Sequence, residues 1–405
     1  MREELLSRDM SKPLKHLLMT TLEDAYDPVS WSGIVYSLRV ALERKVERVS
    51  VFRPGPPKRT PLNILKRIWY GGTPPKYPLS LTRAALKHTA KEVQSEIERV
   101  NPDAVLSISS QCVAFLDKPT IPVFTFSDAP WMSWHRAYER WDPLPVNGVE
   151  FAAIEAATAR KVAGVCFGSR WACEEAETLY SAGDGFLRGK IHMTPLGANW
   201  VPTLTRDELW AAIEARDRDQ IELLYLGKDW ERKGGPMAVS VAGLLHQAGH
   251  KVRLHLVGCR PELPAEATGP DGFVTVYGLL DQRDPDENAQ LKSLFLRSHF
   301  LLVPTIAECF GIVFAEAQAY GLPPLSRSIH ALPSVVLDGD TGLLFDREAP
   351  ASAYVARILA LMADRNAYTT MARRGREHFE QSLNWDKTAE AIVRLISERV
   401  GIQSR

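Results

Sequence analysis

Pro304-Thr-Ile-Ala-Glu308-Cys-Phe-Gly311-Ile-Val-Phe-Ala-Glu316-Ala-Gln-Ala-Tyr-Gly321-Leu-Pro-Pro324 is the stretch that decides how this 405-residue chain is read. The run just before it, Phe300 to Val303, is continuously apolar, as a strand buried on both faces of a parallel sheet must be. A short loop then carries Glu308. Gly311 opens an apolar helical stretch, and Gly321 with Pro323 closes it. This order leaves the amides of Phe310, Gly311 and Ile312 ahead of the first intrahelical hydrogen bond, where an anion is well placed. Glu316 follows in the second turn, within reach of a group bound there, and Gly311 offers no side chain to obstruct the approach. The stretch reads as a phosphate-binding helix start flanked by two carboxylates suited to hydroxyl groups.

Working outward, the same half of the chain alternates strand and helix. Ile221 to Leu226 is an apolar strand. The loop Gly227-Lys228-Asp-Trp-Glu-Arg232-Lys233-Gly234-Gly235 follows, and then a helix over 237–248. Strands are expected at 252–257 and 274–279, with a helix over 288–296. Such regular alternation implies a doubly wound parallel sheet. Lys228 and Lys233 are candidate cations for a diphosphate, with Arg232 the adjacent alternative. Beyond the central stretch, Leu325-Ser326-Arg327 is read as the entry to a loop and 338–345 as a hairpin. Three helices are expected within 351–362, 365–380 and 385–398.

The first half shows the same pattern less sharply. Leu17-Leu18-Met19 is a short strand leading to Ser32-Gly33 and a helix over 35–42, the kind of turn at which α/β sheets bind ligands. It lacks the Gly-x-Gly-x-x-Gly spacing, so dinucleotide binding is not indicated. A plain tight turn is the alternative reading of Gly33. Further strands are expected at 49–52, 104–109, 121–127 and 191–195, with a strand and turn over 165–169. Residues 203–206 read as a linker. Just past one strand end lie Ser127, Asp128 and then His135, the last in an aromatic stretch read as a loop, where packing is the plainer role.

From Arg53 to Lys91 the chain has nine Lys or Arg residues and no Asp or Glu. Within it, Leu62-Asn-Ile-Leu-Lys66-Arg67-Ile-Trp69-Tyr mixes cations with apolar groups, which suits an anionic lipid surface or a phosphorylated acceptor. A solvated basic face on a flexible loop fits equally.

Composition narrows the classes. At 45% hydrophobic and 24% charged, with a net charge of +0, the chain reads as a globular protein of two domains with no field drawing it to nucleic acid. No apolar run approaches a membrane-spanning length, and the N-terminus shows no signal-peptide core. The five cysteines, Cys112, Cys166, Cys173, Cys259 and Cys309, have no metal-binding spacing and are odd in number, as expected for reduced thiols in the cytoplasm.

The motif Glu308-Cys-Phe-Gly-Ile-Val-Phe-Ala-Glu316-Ala-Gln-Ala-Tyr-Gly-Leu-Pro resembles the donor signature of the family 4 retaining glycosyltransferases of the GT-B fold, and Gly227-Lys228…Lys233-Gly resembles that family's Gly-Arg…Lys-Gly loop. Lysine at position 228 keeps the charge and loses arginine's planar fork. Ser127 or Asp128 stands where many members have a histidine, and Ser334 where they often have a glutamate. The resemblance implies two Rossmann-like domains with an interdomain cleft: an acceptor domain over 1–202, a nucleotide-sugar domain over 203–382, and a C-terminal helix over 383–405 crossing back onto the first.

It further implies that Gly33, Lys228, Lys233 and the amides of Phe310, Gly311 and Ile312 meet the donor diphosphate. Glu308 would meet the sugar and Glu316 the ribose. Asp128 is the candidate polar group on the acceptor or sugar side. Lys66, Arg67, Trp69 and His135 remain candidates for acceptor or membrane contact. With charge met by lysines and amides, and no Asp-x-Asp near the signature, no metal and no other cofactor is expected. The partners expected are a nucleotide-sugar donor and a saccharide or lipid-linked acceptor, at the inner face of the membrane. An epimerase or a phosphorylase on the same fold, and a non-catalytic sugar-nucleotide-binding protein, are the competing readings.

Overall fold

The computed structural model describes residues 14–56, 65, 68–69, 77–117, 119–140, 142, 144–180, 187, 189–217, 219–281 and 283–403. They form two compact units, Met1–Gly197 with Trp385–Arg405, and Ala198–Asn384.

The first unit is built on β1 (His16–Thr20), β2 (Arg48–Phe52), β3 (Ala104–Ile108), β4 (Val123–Ser127), β5 (Gly164–Phe167) and β6 (Ile191–Met193). All pair in parallel, in the order β2-β1-β3-β4-β5-β6. The helices between them are α1 (Ile34–Glu43), α2 (Arg83–Val100), α3 (Trp131–Tyr138), α4 (Gly148–Lys161) and α5 (Arg170–Tyr180). Leu17, Leu18, Met19, Phe124 and Phe126 are fully buried in the sheet, because a parallel sheet covered by helices has no wet face. Each such side chain contributes roughly 1.5–3 kcal/mol.

The second unit carries β7 (Ile221–Leu226), β8 (Val252–Val257), β9 (Val274–Gly278), β10 (Phe300–Leu302), β11 (Pro324–Arg327) and β12 (Leu343–Phe345), also all parallel, in the order β12-β11-β10-β7-β8-β9. Its helices are α6 (Arg206–Glu214), α7 (Gly235–Gln247), α8 (Ala265–Thr268), α9 (Pro285–Arg297), α10 (Ile312–Ala319), α11 (Leu332–Val335), α12 (Ala351–Ala363) and α13 (Arg365–Gln381). The last helix, α14 (Trp385–Gln403), belongs to the first unit and packs on α1. There Arg44 pairs with Asp386 and Lys45 with Glu390, both at 2.8 Å, and Thr388 donates to the Pro195 carbonyl at 2.5 Å.

In both sheets the chain builds outward on one side and then crosses over to build on the other. The reversal lies between β1 and β3 in the first unit and between β7 and β10 in the second. Loops leaving the carboxyl ends of two such strands diverge and leave a crevice, the place where open α/β sheets take ligands.

Several expectations are corrected. Residues 325–327 are not a loop: they form β11, held between β10 and β12, and Pro324 is tolerated because it stands first in the strand. Residues 338–345 are not a hairpin. A tight turn closes with Asp340 N–H to Leu337 O at 3.0 Å, and the chain then pairs in parallel as β12. Thr205 does not sit in a plain linker but caps α6, with Glu208 completing a reciprocal capping box. The aromatic stretch after Pro130 is the helix α3 rather than a loop. The end of the basic segment is also ordered, because Arg83 opens the 18-residue α2 behind a Thr82 cap. Lys58, Arg59, Lys66, Arg67 and Lys76 of that segment, and the N-terminal residues 1–13, lie outside the described residues. No helix among the described residues is long and apolar enough to cross a membrane.

Candidate functional site

The site is built at the reversal point of the second sheet. β7 ends at Leu226, and the chain turns through 227–234 into α7. Gly234 is left-handed at φ 72°, and a Cβ there would lie 2.0 Å from the Pro304 carbonyl oxygen. Only glycine permits this approach, and it brings the loop after β7 against the loop after β10. Ile306 N–H donates to Arg232 O at 2.7 Å, and the Thr305 hydroxyl reaches the same carbonyl at 3.1 Å. Arg232 turns back into this seam, donating to Ala307 O at 2.9 Å and to Asp229 at 3.1 Å. It staples the two loops, so the next residue, Lys233, takes the other direction.

Lys233 is ion-paired with Glu308, and their side chains are only 14% and 8% exposed. Gly311, left-handed at φ 83°, caps α10; a Cβ there would meet the Phe314 ring at 2.5 Å and Glu308 Cγ at 3.0 Å. Phe314 N–H closes the first turn onto Gly311 O at 2.9 Å, while the N–H groups of Phe310, Gly311 and Ile312 have no partner among the described residues. Glu316, one turn on, is 7% exposed. Burial pushes its carboxyl up to about 7, while the backbone amides of Asn199 and Trp200 and the Lys233 charge draw it the other way.

Lys233, Glu308, Gly311 and Glu316 thus converge at one helix start with unpaired amides. Lys228 is exposed and has no ion pair among the described residues. Sequence reading missed the stapling role of Arg232 and the backbone donors at Asn199 and Trp200. It also missed the contact of Gly227 with Gly258, where a Cβ on Gly258 (φ 102°) would lie 2.7 Å from Gly227 O. The available signal was a glycine just past each of the neighbouring strands β7 and β8.

The remaining candidates lie in the first unit. Gly33 caps α1 at φ 77°, preceded by two further left-handed residues, Trp31 and Ser32. The Asp128 carboxylate accepts from Ala129 N–H at 2.9 Å. His135 is a packing residue on α3: it is 6% exposed, its Nδ1 meets Asp142 O at 3.1 Å, and Trp131 and Trp134 lie edge-on to it. Trp69 is 85% exposed, and Leu65 and Ile68 are exposed as well. A buried carboxylate that sequence reading passed over, Glu155, accepts from Trp131 N–H at 3.0 Å and Ser110 at 3.4 Å, and burial pushes it up to about 7. It anchors the start of α3, just after Asp128.

A reversal-point crevice with a lysine–glutamate pair and an open helix start is suited to an anionic ligand. Residues 207–378 match the family model described as glycosyl transferases group 1. Among curated relatives, the D-inositol 3-phosphate glycosyltransferase of Streptomyces avermitilis (strain ATCC 31267 / DSM 46492 / JCM 5070 / NBRC 14893 / NCIMB 12804 / NRRL 8165 / MA-4680) is 38% identical over 217 residues, 51% of this chain and 46% of that protein. That of Paenarthrobacter aurescens (strain TC1) is 28% identical over 185 residues, 45% of each chain. The chain spans about half the length of the curated relatives it matches.

Among solved structures, sucrose-phosphate synthase from Thermosynechococcus elongatus aligns with a TM-score of 0.62 at 18% identity, over 93% of this chain and 97% of that one. The catalytic domain of starch synthase IV from Arabidopsis thaliana, bound to ADP and acarbose, aligns at 0.63 and 15%, over 97% and 100%. At these identities the likeness is one of fold, the GT-B class of two Rossmann-like units.

Proposed function

We propose that the chain is a retaining glycosyltransferase that moves a sugar from a UDP- or GDP-sugar to a hydroxyl of a saccharide or lipid-linked acceptor without a metal ion. The observation that carries this reading is the Lys233–Glu308 pair beside the Gly311 helix start, at the reversal point of the second sheet. In this reading the second unit binds the donor and the first the acceptor. Lys233 and the amides of Phe310, Gly311 and Ile312 meet the diphosphate. Glu308 meets the donor sugar, and Glu316 the ribose hydroxyls. Lys228, exposed at the loop rim, adds a second cation, and Gly33 offers backbone close to the phosphates. Asp128 is the polar group offered to the acceptor or the sugar.

As the glycosidic bond breaks, negative charge grows on the diphosphate, and fixed N–H groups and a lysine already held in place stabilise it with little reorganisation. No side chain is assigned as a covalent nucleophile. The C1–diphosphate bond breaks, the C1–acceptor oxygen bond forms on the same face, and the acceptor proton passes to a diphosphate oxygen. The protein contributes positioning and electrostatics.

The relatives named for inositol 3-phosphate make a polyol phosphate one acceptor to try. Leu65, Ile68 and Trp69, exposed at helical spacing within the cation-rich stretch, support peripheral contact with anionic lipid at the inner face of the membrane, in envelope polysaccharide assembly.

The test is turnover of UDP- and GDP-sugars by the wild type, Lys233→Ala and Glu308→Ala, with thermal shift used to find the donor. Each change is expected to lower kcat by at least about 100-fold, the loss typical of a transition-state charge partner. Unchanged donor turnover in both variants removes the reading. Product analysis without an acceptor separates an epimerase.

A further inference from the structure

Glu155 lines a small polar cavity inside the first unit, and it is the one charged side chain among the described lining residues. The cavity measures about 10 Å³, room for a single water-sized particle. Thr125 and Ser127 come to it from β4, Glu155 and Thr158 from α4, Tyr180 from the end of α5, and Ser110 from just past β3. Val165 and Phe167 of β5 close it with apolar surface.

The oxygens of this cavity are rich in lone pairs. Thr158 donates its hydroxyl proton to Ile154 O at 2.7 Å, and Ser127 donates to Ala129 O at 3.1 Å. A hydroxyl whose proton is taken by the backbone has only lone pairs left for a further partner. Tyr180 and Thr125 are 4% and 5% exposed. The Tyr180 hydroxyl draws the Glu155 carboxyl down, yet neither it nor the Thr125 hydroxyl has a partner at hydrogen-bond geometry among the described residues. Polar groups this far from water need one.

Glu155 also lacks a countercharge: it has no ion pair with Lys, Arg or His among the described residues. The groups that offset its burial are the Tyr180 hydroxyl of α5, the Trp131 amide of α3 and the Ser110 hydroxyl, and Tyr180 is the only titratable one. An ionised carboxylate at this depth is costly by itself. A proton or a cation can relieve it. Burial pushes the carboxyl up to about 7, so above neutral pH the proton leaves and the need for a cation remains.

We propose that this cavity binds one dehydrated alkali cation of the size of K⁺, between the Glu155 carboxylate and the hydroxyl oxygens of Thr125, Ser127, Thr158 and Tyr180. The charge follows from the donor set. With one carboxylate in the cavity, a monovalent ion leaves no net charge buried, whereas a divalent ion leaves one. Carboxylate and hydroxyl oxygens are hard donors that replace the hydration shell of a hard cation, as carbonyl oxygens do for K⁺ in selectivity filters. Glu155 also accepts from Trp131 N–H at 3.0 Å, so the ion steadies the start of α3. It is structural, belongs to the first unit, and does not depend on the glycosyltransferase reading.

Thermal unfolding of the full chain tests it, in KCl, NaCl and choline chloride matched in ionic strength so that screening is equal. At about pH 8, KCl is expected to give a saturable rise in melting temperature of at least about 3 °C over choline chloride, as for a site filled at roughly tenfold its dissociation constant. NaCl should give a smaller rise. The rise should fade toward about pH 5, where a proton takes the cation's place. Glu155→Gln keeps an acceptor for Trp131 N–H and abolishes the response. Thr125→Val raises the half-saturating KCl concentration about tenfold, the scale of one lost contact to a charge. Equal melting temperatures in the three salts at about pH 8 overturn the proposal, as does a rise in NaCl that matches or exceeds that in KCl, or one that survives Glu155→Gln. Should Glu155→Gln fail to fold, wild-type crystals soaked in Rb⁺ or Tl⁺ decide. Anomalous density between Glu155 and Thr125 supports the ion, and a water alone at that position overturns it.

Discussion

Lys233 and Glu308 are ion-paired between two loops, one leaving β7 and the other leaving β10, with both side chains withdrawn from water. The lysine therefore does not wait as an open cation. It is already neutralised and oriented, and any anion arriving at the Gly311 helix start must share it with a carboxylate.

Breaking such a pair from one side strands a buried charge. Lys233→Ala and Glu308→Ala are each expected to lose about 3–5 kcal/mol of stability, and Lys233→Met with Glu308→Leu to recover most of it while remaining inactive. Urea denaturation of the three variants checks this. Single variants within about 0.5 kcal/mol of wild type, the range of ordinary surface substitutions, would show that the two charges are not buried together.

The approach of the two loops depends on Gly234. Alanine there combines a left-handed backbone with a Cβ 2.0 Å from the Pro304 carbonyl, so Gly234→Ala should cost more than about 2 kcal/mol. Gly249 is the control: it is equally left-handed at φ 85°, and a Cβ added there would meet nothing within 4 Å. Gly249→Ala should cost only about 1–2 kcal/mol, the left-handed penalty alone. Melting temperatures that fall equally in the two variants would contradict the close approach.

How much of this could be read beforehand follows from what each element depends on. β7, β8 and β10 are apolar runs whose burial is written in their own residues, and Gly311 marks the start of α10 because a left-handed cap requires it. β11 was hidden because Pro324, Ser326 and Arg327 have weak strand preference; it exists through partners on both sides. Thr205 with Glu208 was a legible capping signal, overlooked beside Pro202. Lys233 and Glu308 were each identifiable, but their partnership spans 75 residues of sequence and is a property of the crossover. The donors to Glu316 are backbone N–H groups, which no residue type announces.

Glu316 should make stability depend on pH in a definite direction. Burial raises its carboxyl from an ordinary 4.5 to about 7 in the folded protein. Between those values the folded state holds a proton that the unfolded state has released, so this group's contribution is full below about 4.5 and lost as pH rises through 7. Glu316→Gln has no such loss. The stability of Glu316→Gln minus that of wild type should therefore shift toward the variant by about 1–3 kcal/mol between pH 5 and pH 8. Glu155, also raised to about 7, is present in both proteins and cancels. A pH-independent difference in chemical denaturation would mean that Glu316 is solvated.

If Lys233 and the helix amides carry the diphosphate charge, a chelator should leave the reaction alone. Turnover of the preferred nucleotide sugar is expected to stay within about twofold after EDTA treatment, since less than 0.5 kcal/mol of barrier would then have changed. A tenfold fall restored by Mg²⁺ or Mn²⁺ would assign the charge to a bound metal.

Leu65, Ile68 and Trp69 stand exposed at positions i, i+3 and i+4, the spacing of one helical face. Transfer of such side chains into a lipid interface is worth up to roughly 1.5–3 kcal/mol each, and each neighbouring cation adds about 1 kcal/mol near an anionic surface. Changing all three to serine should therefore lower co-sedimentation with phosphatidylserine vesicles by well over tenfold. Added salt should weaken wild-type binding only in part, because the apolar contribution is not screened. Equal pelleting of variant and wild type would rule this face out, and binding abolished by salt alone would assign it to charge without insertion.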